Sequence, residues 1–351
     1  MKKLDIIIPH YKEPFETLRP LLDSIEGQIG LNKDIIQVTI VNDGPDADVF
    51  ATDSIFMYYY NFDIKVYTTP DNGGPGMARQ FGINSTTAPY IMFCDSDDRF
   101  YSVDALLNLL TAAEQCTKEG KWSYIWSYFY EERHNDKEYS LIPHTQPSMV
   151  WLHGKIWNRA FLDNFKIHFL YGLRTYEDTY FGRIAGQINP SLIKKCEHFT
   201  YLWRDNKDSI TNKWNHDDRD YLYWNNGDYI MAMEGTINFF GEGTRYLHIK
   251  NWNEIVYTTI FFNYYMLQLE EFSDLDNPET KQKYDNIIQM TQRILKNHAE
   301  KLTASEELRS NWFFTTFVEM RQFRIPVDIM PWSQWIDKYC AEWKDKLEIK
   351  K

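Results

Sequence analysis

Tyr90-Ile91-Met92-Phe93-Cys94-Asp95-Ser96-Asp97-Asp98 is an apolar run that ends in three carboxylates within four residues. Its shortness and its apolar character on both faces read as a buried strand, and the polar tail reads as the loop that follows it. Upstream, Ile64 to Thr68, Ile35 to Val41 and Leu4 to Ile8 have the same β-branched texture. The spacers from Glu13 to Gln28, Asp46 to Tyr60 and Pro75 to Ser85 carry helical patterns. Apolar strands alternating with helices build βαβ units, so the expected fold is α/β, a doubly wound and mostly parallel sheet covered on both faces. Ligands of such sheets sit beyond the carboxyl ends of the strands. Here those ends carry Pro9-His10-Tyr11, Asn42-Asp43-Gly44, Asp71-Asn72-Gly73-Gly74 and Asp95 to Asp98, so four polar clusters are expected along one edge.

Downstream of about Asn215 the texture changes to long patterns rich in Tyr, Trp, Glu and Lys, such as Trp252 to Glu271, Pro278 to Lys301 and Trp332 to Leu347. These predict helices, with Asn277 as an N-cap and Pro278 at a first helical position. The expected organisation is an α/β domain over 1–215 and a helical region over 216–351 that serves acceptor recognition or oligomerisation. No repeat or flexible linker separates them, so the helices are expected to pack on the α/β domain.

A chain of 351 residues is longer than one core comfortably supports, in keeping with two units. The net charge of -12 argues against a protein wrapped around bare phosphate backbone, although a local basic groove escapes that test. Aromatic residues make up 17% of the chain, a share that core packing, sugar stacking or both must absorb. Cys94, Cys116, Cys196 and Cys340 have neither zinc-ligand nor disulfide-framework spacing, which suits a reducing cytoplasm. Met1-Lys2-Lys3 before Leu4 to Ile8 imitates a signal start, but Asp5 and Pro9 interrupt it, and no run approaches the roughly 20 apolar residues of a membrane span. A soluble, cytoplasmic protein is expected.

Three carboxylates this close repel one another unless a cation joins them, and oxygen-rich sites suit Mg²⁺ or Mn²⁺ bridging a diphosphate. The plain alternative is a solvated acidic turn before a helix capped at Ser102 or Asp104. Asn72-Gly73-Gly74-Pro75-Gly76-Met77-Ala78-Arg79 is a glycine-rich turn opening a helix, where backbone can approach a ligand. It lacks the lysine of a Walker A loop and the third glycine of a dinucleotide fingerprint, so a tight structural turn stays open as its reading. Arg79 lies early in that helix, within reach either of a nucleotide or of a surface carboxylate.

Together these segments resemble glycosyltransferase family 2, of the inverting GT-A nucleotide-diphospho-sugar transferase fold. Leu4 to Glu13 is similar to the family's first strand and nucleotide loop, and Val41 to Gly44 to its aspartate turn. Gly74 to Ile83 resembles its glycine and arginine segment, with Gln80 where Asn is usual, and Asp95-Ser96-Asp97 falls at the D-x-D position. The resemblance spans roughly Leu4 to Thr211. It implies that Tyr11 stacks on uracil or another base, that Asp43 and Arg79 bond the base's edge, that Asp95 approaches the ribose and that Asp97 ligates the metal. Pro9, Glu13, Gly74 and Ser96 join the implied nucleotide-sugar contacts.

His153 to Arg159 resembles the segment before the acceptor region, where Lys155 is expected to neutralise phosphate or simply to be solvated. Thr175-Tyr176-Glu177-Asp178 resembles the E-D motif, which makes Asp178 the general base, with Glu177 the less favoured choice. Tyr201 to Thr211 resembles the lid over the diphosphate, but Asn206 stands where histidine is common. By that resemblance Arg204 and Lys207 steady the leaving group, and Asn206 offers an amide oxygen to the metal. The implied reaction is a single inverting displacement of UDP by an acceptor hydroxyl. Rivals are a nucleotidyltransferase, metal-dependent hydrolysis and a non-catalytic nucleotide-sugar-binding protein. The acceptor is a glycan, a protein or, as in bacteriophage enzymes, a hydroxylated DNA base. DNA would need a basic groove near Asp178, for which Arg174, Lys194, Lys195 and Lys213 are the candidates.

Overall fold

A computed structural model describes residues 1–47, 60–134, 139–206, 226–242, 249–268, 272, 274–302 and 330–347. The chain divides into two compact units, Met1–Lys213 and Trp214–Lys351.

The first unit is built on a nine-stranded sheet ordered β3-β2-β1-β4-β8-β6-β9-β5, with β7 paired to β6. The four strands legible in the sequence are β1 (Leu4–His10), β2 (Ile36–Asn42), β3 (Asp63–Thr68) and β4 (Tyr90–Phe93). They pair in parallel, as the βαβ pattern requires. Beyond β4 the sheet becomes mixed. β8 (Lys155–Asn158) runs antiparallel to both β4 and β6 (Tyr124–His134), while β9 (Lys194–Trp203) returns parallel to β6. Two short edges complete it, β5 (Arg99–Phe100) on β9 and β7 (Tyr139–His144) on β6.

Helices cover both faces of β1, which is buried at nearly every position. On one face lie α1 (Phe15–Glu26) and α3 (Ala105–Glu119). Leu18, Leu21, Leu22 and Ile25 of α1 recur at helical spacing and share a core with Leu4, Ile6, Ile8 and Met92. On the other face α2 (Pro75–Ser85) approaches so closely that a Cβ on Gly82 would stand 2.4 Å from Ile7 Cγ2. Deeper on that side Phe93 meets Phe169 and Phe181 edge-on at 5.6 and 5.7 Å, beside Trp157. Asp5, a charge inside this strand, is satisfied by Ala88 N–H and by Arg159, whose guanidinium also donates to Ala88, Ile83 and Thr86. That is how a buried carboxylate is tolerated in a strand.

The helix expected over Asp46 to Tyr60 lies largely outside the described residues; its first residues form a 3₁₀ turn, Pro45–Ala47. α3 starts after Asp104 and not after Ser102. Two further helices, α4 (Arg159–Phe165) and α5 (Glu177–Ile188), follow in this unit.

In the second unit α6 (Asn226–Glu242), α7 (Ile249–Met266) and α8 (Pro278–His298) pack around a polar centre, where Tyr229 donates to Asn263 and Asn263 to Thr291. Asn277 caps α8 through its side-chain oxygen, with Pro278 in the first turn. The helix expected over Trp332 to Leu347 is instead broken. Cys340 leaves helical geometry, with φ near -134°, and separates α9 (Trp332–Tyr339) from the short α10 (Lys344–Leu347). No helix among the described residues is long and apolar enough to cross a membrane.

Candidate active site

At the carboxyl end of β1, His10 is buried and bonds Asn42 at the end of β2 through Nδ1 and the Glu13 carbonyl through Nε2. That pins a loop in which Tyr11 N–H donates to the Glu13 carboxylate and Lys12 adopts a left-handed φ of 63°. Such geometry is uncommon for a non-glycine residue and marks a loop held by its surroundings. Tyr11 is left exposed, with Lys12 Nζ 4.9 Å from its ring centroid and 2.7 Å from Asp46. Pro9 lies half-buried in β1 opposite Val41.

Asp43 is buried, and both its oxygens are bonded at 2.8 Å, one from Gly73 N–H and the other from Gly74 N–H. The aspartate turn and the glycine-rich turn are thus one structure. Gly74 has φ +87° and caps α2, and a Cβ there would crowd Leu173 O and Arg174 Cα at 3.2 and 3.3 Å. Gly76, one turn further on, makes room for Glu177, whose Cβ would stand 2.8 Å from an added methyl.

Arg79 does not face outward. It is buried, with Nη1 2.7 Å from Glu177 Oε1 and Nη2 2.7 Å from Asp95 Oδ1. Burial opposes its charge, but Asp95 and Glu177 outweigh it and hold the guanidinium above its ordinary value. One side chain therefore ties the D-x-D segment to the E-D segment.

Within Asp95 to Asp98 the residues divide by exposure. Asp95 and Asp97 are partly exposed, while Ser96 and Asp98 are buried. Asp98 accepts from Tyr201 Oη and from Arg204 N–H, both at 2.8 Å, and Tyr201 Oη also accepts from Asp95 N–H. Asp97 accepts from Asn206 Nδ2 at 2.8 Å, and its carbonyl takes a longer bond from Arg204 Nη1. Burial first, then the neighbouring carboxylates, push Asp97 and Asp98 upward from the usual carboxylate range. The ligand atoms of Asp95, Asp98 and His153 all lie within 4.8 Å of one another. Such a set of carboxylate oxygens and an imidazole nitrogen fits a divalent cation. His153 carried no motif signal beyond its place before Lys155, and it is the residue that sequence reasoning missed. Burial lowers its pKa to about 3, so the ring is neutral.

Asp178 opens α5, behind Tyr176, whose φ of 59° is left-handed. Its Oδ1 accepts from the Thr179 backbone and hydroxyl. Burial and then Glu177 raise its pKa to about 7, against the opposing effect of Arg79. Glu177 is occupied by Arg79, so the pair divides into an ion-paired carboxylate and one of raised pKa. Lys155 is buried, not solvated. Its Nζ donates to Ser148 O at 2.6 Å over the rings of Tyr124 and Trp157, and burial lowers its pKa to about 7 against the attraction of Asp178. The segment that accepts this bond crosses α5: a Cβ on Gly182 would meet Met149 O at 1.7 Å, and one on Gly186 would meet Met149 Sδ at 3.1 Å.

Lys207 and the rest of the lid through Thr211 lie outside the described residues, as does Lys213. Arg174 donates to Asn72, while Lys194 donates to Ser191 and Lys195 pairs with Glu197 at the start of β9.

The sequence model of glycosyl transferase family 2 matches residues 5–173. Among curated proteins, an uncharacterized glycosyltransferase of Rickettsia bellii is 32% identical over 100 residues, 28% of this chain and 13% of its own. Glycosyltransferase GlyA of Streptococcus pneumoniae is 34% identical over 97 residues, 27% of this chain and 13% of its own. The match thus spans a small part of either relative's length. Among solved structures, S. aureus TarS 1-349 in complex with UDP-GlcNAc superposes with a TM-score of 0.60 at 17% identity, covering 83% of this chain and 82% of that one. At that identity the likeness speaks for the fold. Residues 5–173 thus form a glycosyl transferase family 2 domain, carried on the GT-A fold of the structural neighbours.

Proposed function

We propose that the protein is an inverting glycosyltransferase that moves a sugar from a UDP-sugar to an acceptor hydroxyl. The observation that carries this reading is the Arg79 bridge, which joins Asp95 of the donor-side carboxylate loop to Glu177 beside Asp178. A protein that only bound a nucleotide sugar would need no base fixed to that loop. Tyr11 supplies an exposed ring for the base, and the turn made by Asp43, Gly73 and Gly74 supplies its edge contacts. The carboxylates of Asp95, Asp97 and Asp98 would hold Mn²⁺ or Mg²⁺, which when bound would offset diphosphate charge. Asn206, as a donor to Asp97, orients that carboxylate, and Arg204 stands over the same loop.

The acceptor hydroxyl gives its proton to Asp178 as its oxygen bonds the anomeric carbon from the face opposite the leaving group. The bond from that carbon to the β-phosphate oxygen breaks, and UDP departs. A carboxylate with a pKa near 7 suits proton abstraction at neutral pH and contributes about 10² to 10⁴ in rate. UDP-GlcNAc, the donor bound by TarS, is the first to try. The full chain is incubated with labelled UDP-sugars, Mn²⁺ and arrays of glycan, protein and hydroxymethylated DNA acceptors. Transfer with release of UDP and inverted anomeric configuration is expected. Release of pyrophosphate from a nucleoside triphosphate and a sugar phosphate would identify a nucleotidyltransferase instead. The helical unit, Trp214–Lys351, is proposed to contribute to acceptor recognition or oligomerisation.

A further inference from the structure

The cation site proposed above lacks an imidazole where one is common, because the lid carries Asn206. Its amide nitrogen is directed at Asp97 Oδ2, so this side chain acts as a hydrogen-bond donor to the loop. A different imidazole, that of His153, stands beside Asp95 and Asp98 of the same loop. His153 is 8% exposed, and its Nε2 has no hydrogen-bond partner among the described residues. A buried ring nitrogen left unmatched is costly unless something outside the described atoms satisfies it. The ring is also fixed. It stacks on Tyr201 at 5.0 Å with an interplanar angle of 3° and meets the edge of Phe129 at 4.7 Å. Tyr201 in turn holds Asp98 through its hydroxyl.

We infer that His153 is a ligand of the divalent cation, with Asp95 and Asp98 supplying the oxygens, and that this nitrogen makes the site prefer Mn²⁺ to Mg²⁺. The ligand atoms are close enough for one ion to reach all three, within 4.8 Å of one another. Bonds from Tyr201 and Arg204 leave each Asp98 oxygen a lone pair and fix its orientation, as ligands to a metal usually are fixed. Mg²⁺ takes one or two carboxylates and retains most of its water, so an added nitrogen donor favours a first-row transition ion such as Mn²⁺ over it. The assignment moves the nitrogen ligand from the lid to the loop before β8, while the amide nitrogen of Asn206 donates to Asp97.

This inference rests on reading the carboxylate loop as a cation site, and its test needs neither donor nor acceptor. Mn²⁺ is added to the full chain, and pulsed electron paramagnetic resonance reads nitrogen coupling to the bound ion. Imidazole coupling is expected, changing from ¹⁴N to ¹⁵N character when histidine alone is labelled, a control that requires no variant. His153→Gln should lose the coupling and weaken Mn²⁺ binding tenfold or more, while His144→Gln keeps both. Wild-type binding of Mn²⁺ to Mg²⁺ should differ by at least tenfold. Mn²⁺ bound without nitrogen coupling, or coupling that survives in His153→Gln, overturns the assignment. Coupling through His153 in a protein that transfers no sugar would refute the transferase reading and leave this one standing.

Discussion

Replacing Arg79 by Met removes the charge that joins two segments 98 residues apart in sequence. The two ends of the bridge are not equal. Side-chain exposure is 7% for Arg79 and 9% for Glu177, against 41% for Asp95. The Asp95 end, open to water, contributes as an exposed pair does, about 1 kcal/mol or less. The Glu177 end is buried, and removing its partner leaves an uncompensated carboxylate, at a cost of roughly 3–5 kcal/mol. Glu177→Gln should cost less, about 1–2 kcal/mol, because the amide oxygen still accepts from the guanidinium. The double variant Arg79→Met, Glu177→Gln leaves neither charge buried and should recover about 2 kcal/mol of the sum of the single losses. Because the chain holds two units, the readout must be local. Hydrogen exchange of peptides from α2 (Pro75–Ser85) and α5 (Glu177–Ile188) across a urea series isolates the unit concerned. Additivity of the two substitutions within about 0.5 kcal/mol would refute a coupled buried pair.

Asp178→Asn should lower turnover by about 10² or more while the dissociation constant for UDP-sugar stays within twofold; near wild-type turnover would remove Asp178 from the reaction. The same variant should melt higher than wild type at pH 8 but not at pH 4. The folded-state pKa, raised to about 7, makes ionisation of the native aspartate increasingly unfavourable as pH rises from its ordinary value of 3.8, and an amide escapes that cost. The pH profile of kcat/KM should have an acid limb near pH 7, since the base acts deprotonated, and Glu177→Gln should move that limb to lower pH by removing a neighbouring negative charge. A limb unmoved near pH 4 would contradict both the burial and the assignment. Gly182→Ala should destabilise the first unit by roughly 1–3 kcal/mol, as overpacking does, because the new methyl meets Met149 O; exchange rates in α5 equal to wild type would show that the crossing segment simply moves aside.

The parallel half of the fold was readable because its signals are local. Leu4–His10, Ile36–Asn42 and Tyr90–Phe93 each announce themselves as apolar runs, and the polar clusters at their ends follow from topology. The mixed half was not readable. β6 and β9 pair through residues some seventy positions apart with an irregular register near Tyr128, and no periodicity within either strand encodes that meeting. Site residues followed the same division. The Asp95 to Asp98 loop stood out by composition and Asp178 by resemblance to the E-D motif, yet orientation did not: Arg79, expected at the nucleotide or a surface carboxylate, is turned inward between Glu177 and Asp95. Lys155, expected either to neutralise phosphate or to be solvated, is buried, with Tyr124 of β6 and Trp157 of its own strand roofing it. His153 had no spacing to betray it, since its partners are brought to it only by the sheet.

Tyr201 belongs to β9, and directly beyond that strand Arg204 and Asn206 bond Asp98 and Asp97. Its hydroxyl meanwhile closes the Asp95 to Asp98 loop from within. The strand, the Arg204 to Asn206 segment and the carboxylate loop are therefore one mechanical member, and a sliding of β9 by a single residue would displace all of them together. Were a diphosphate held at this loop as proposed, its grip and its release would be two settings of one lever.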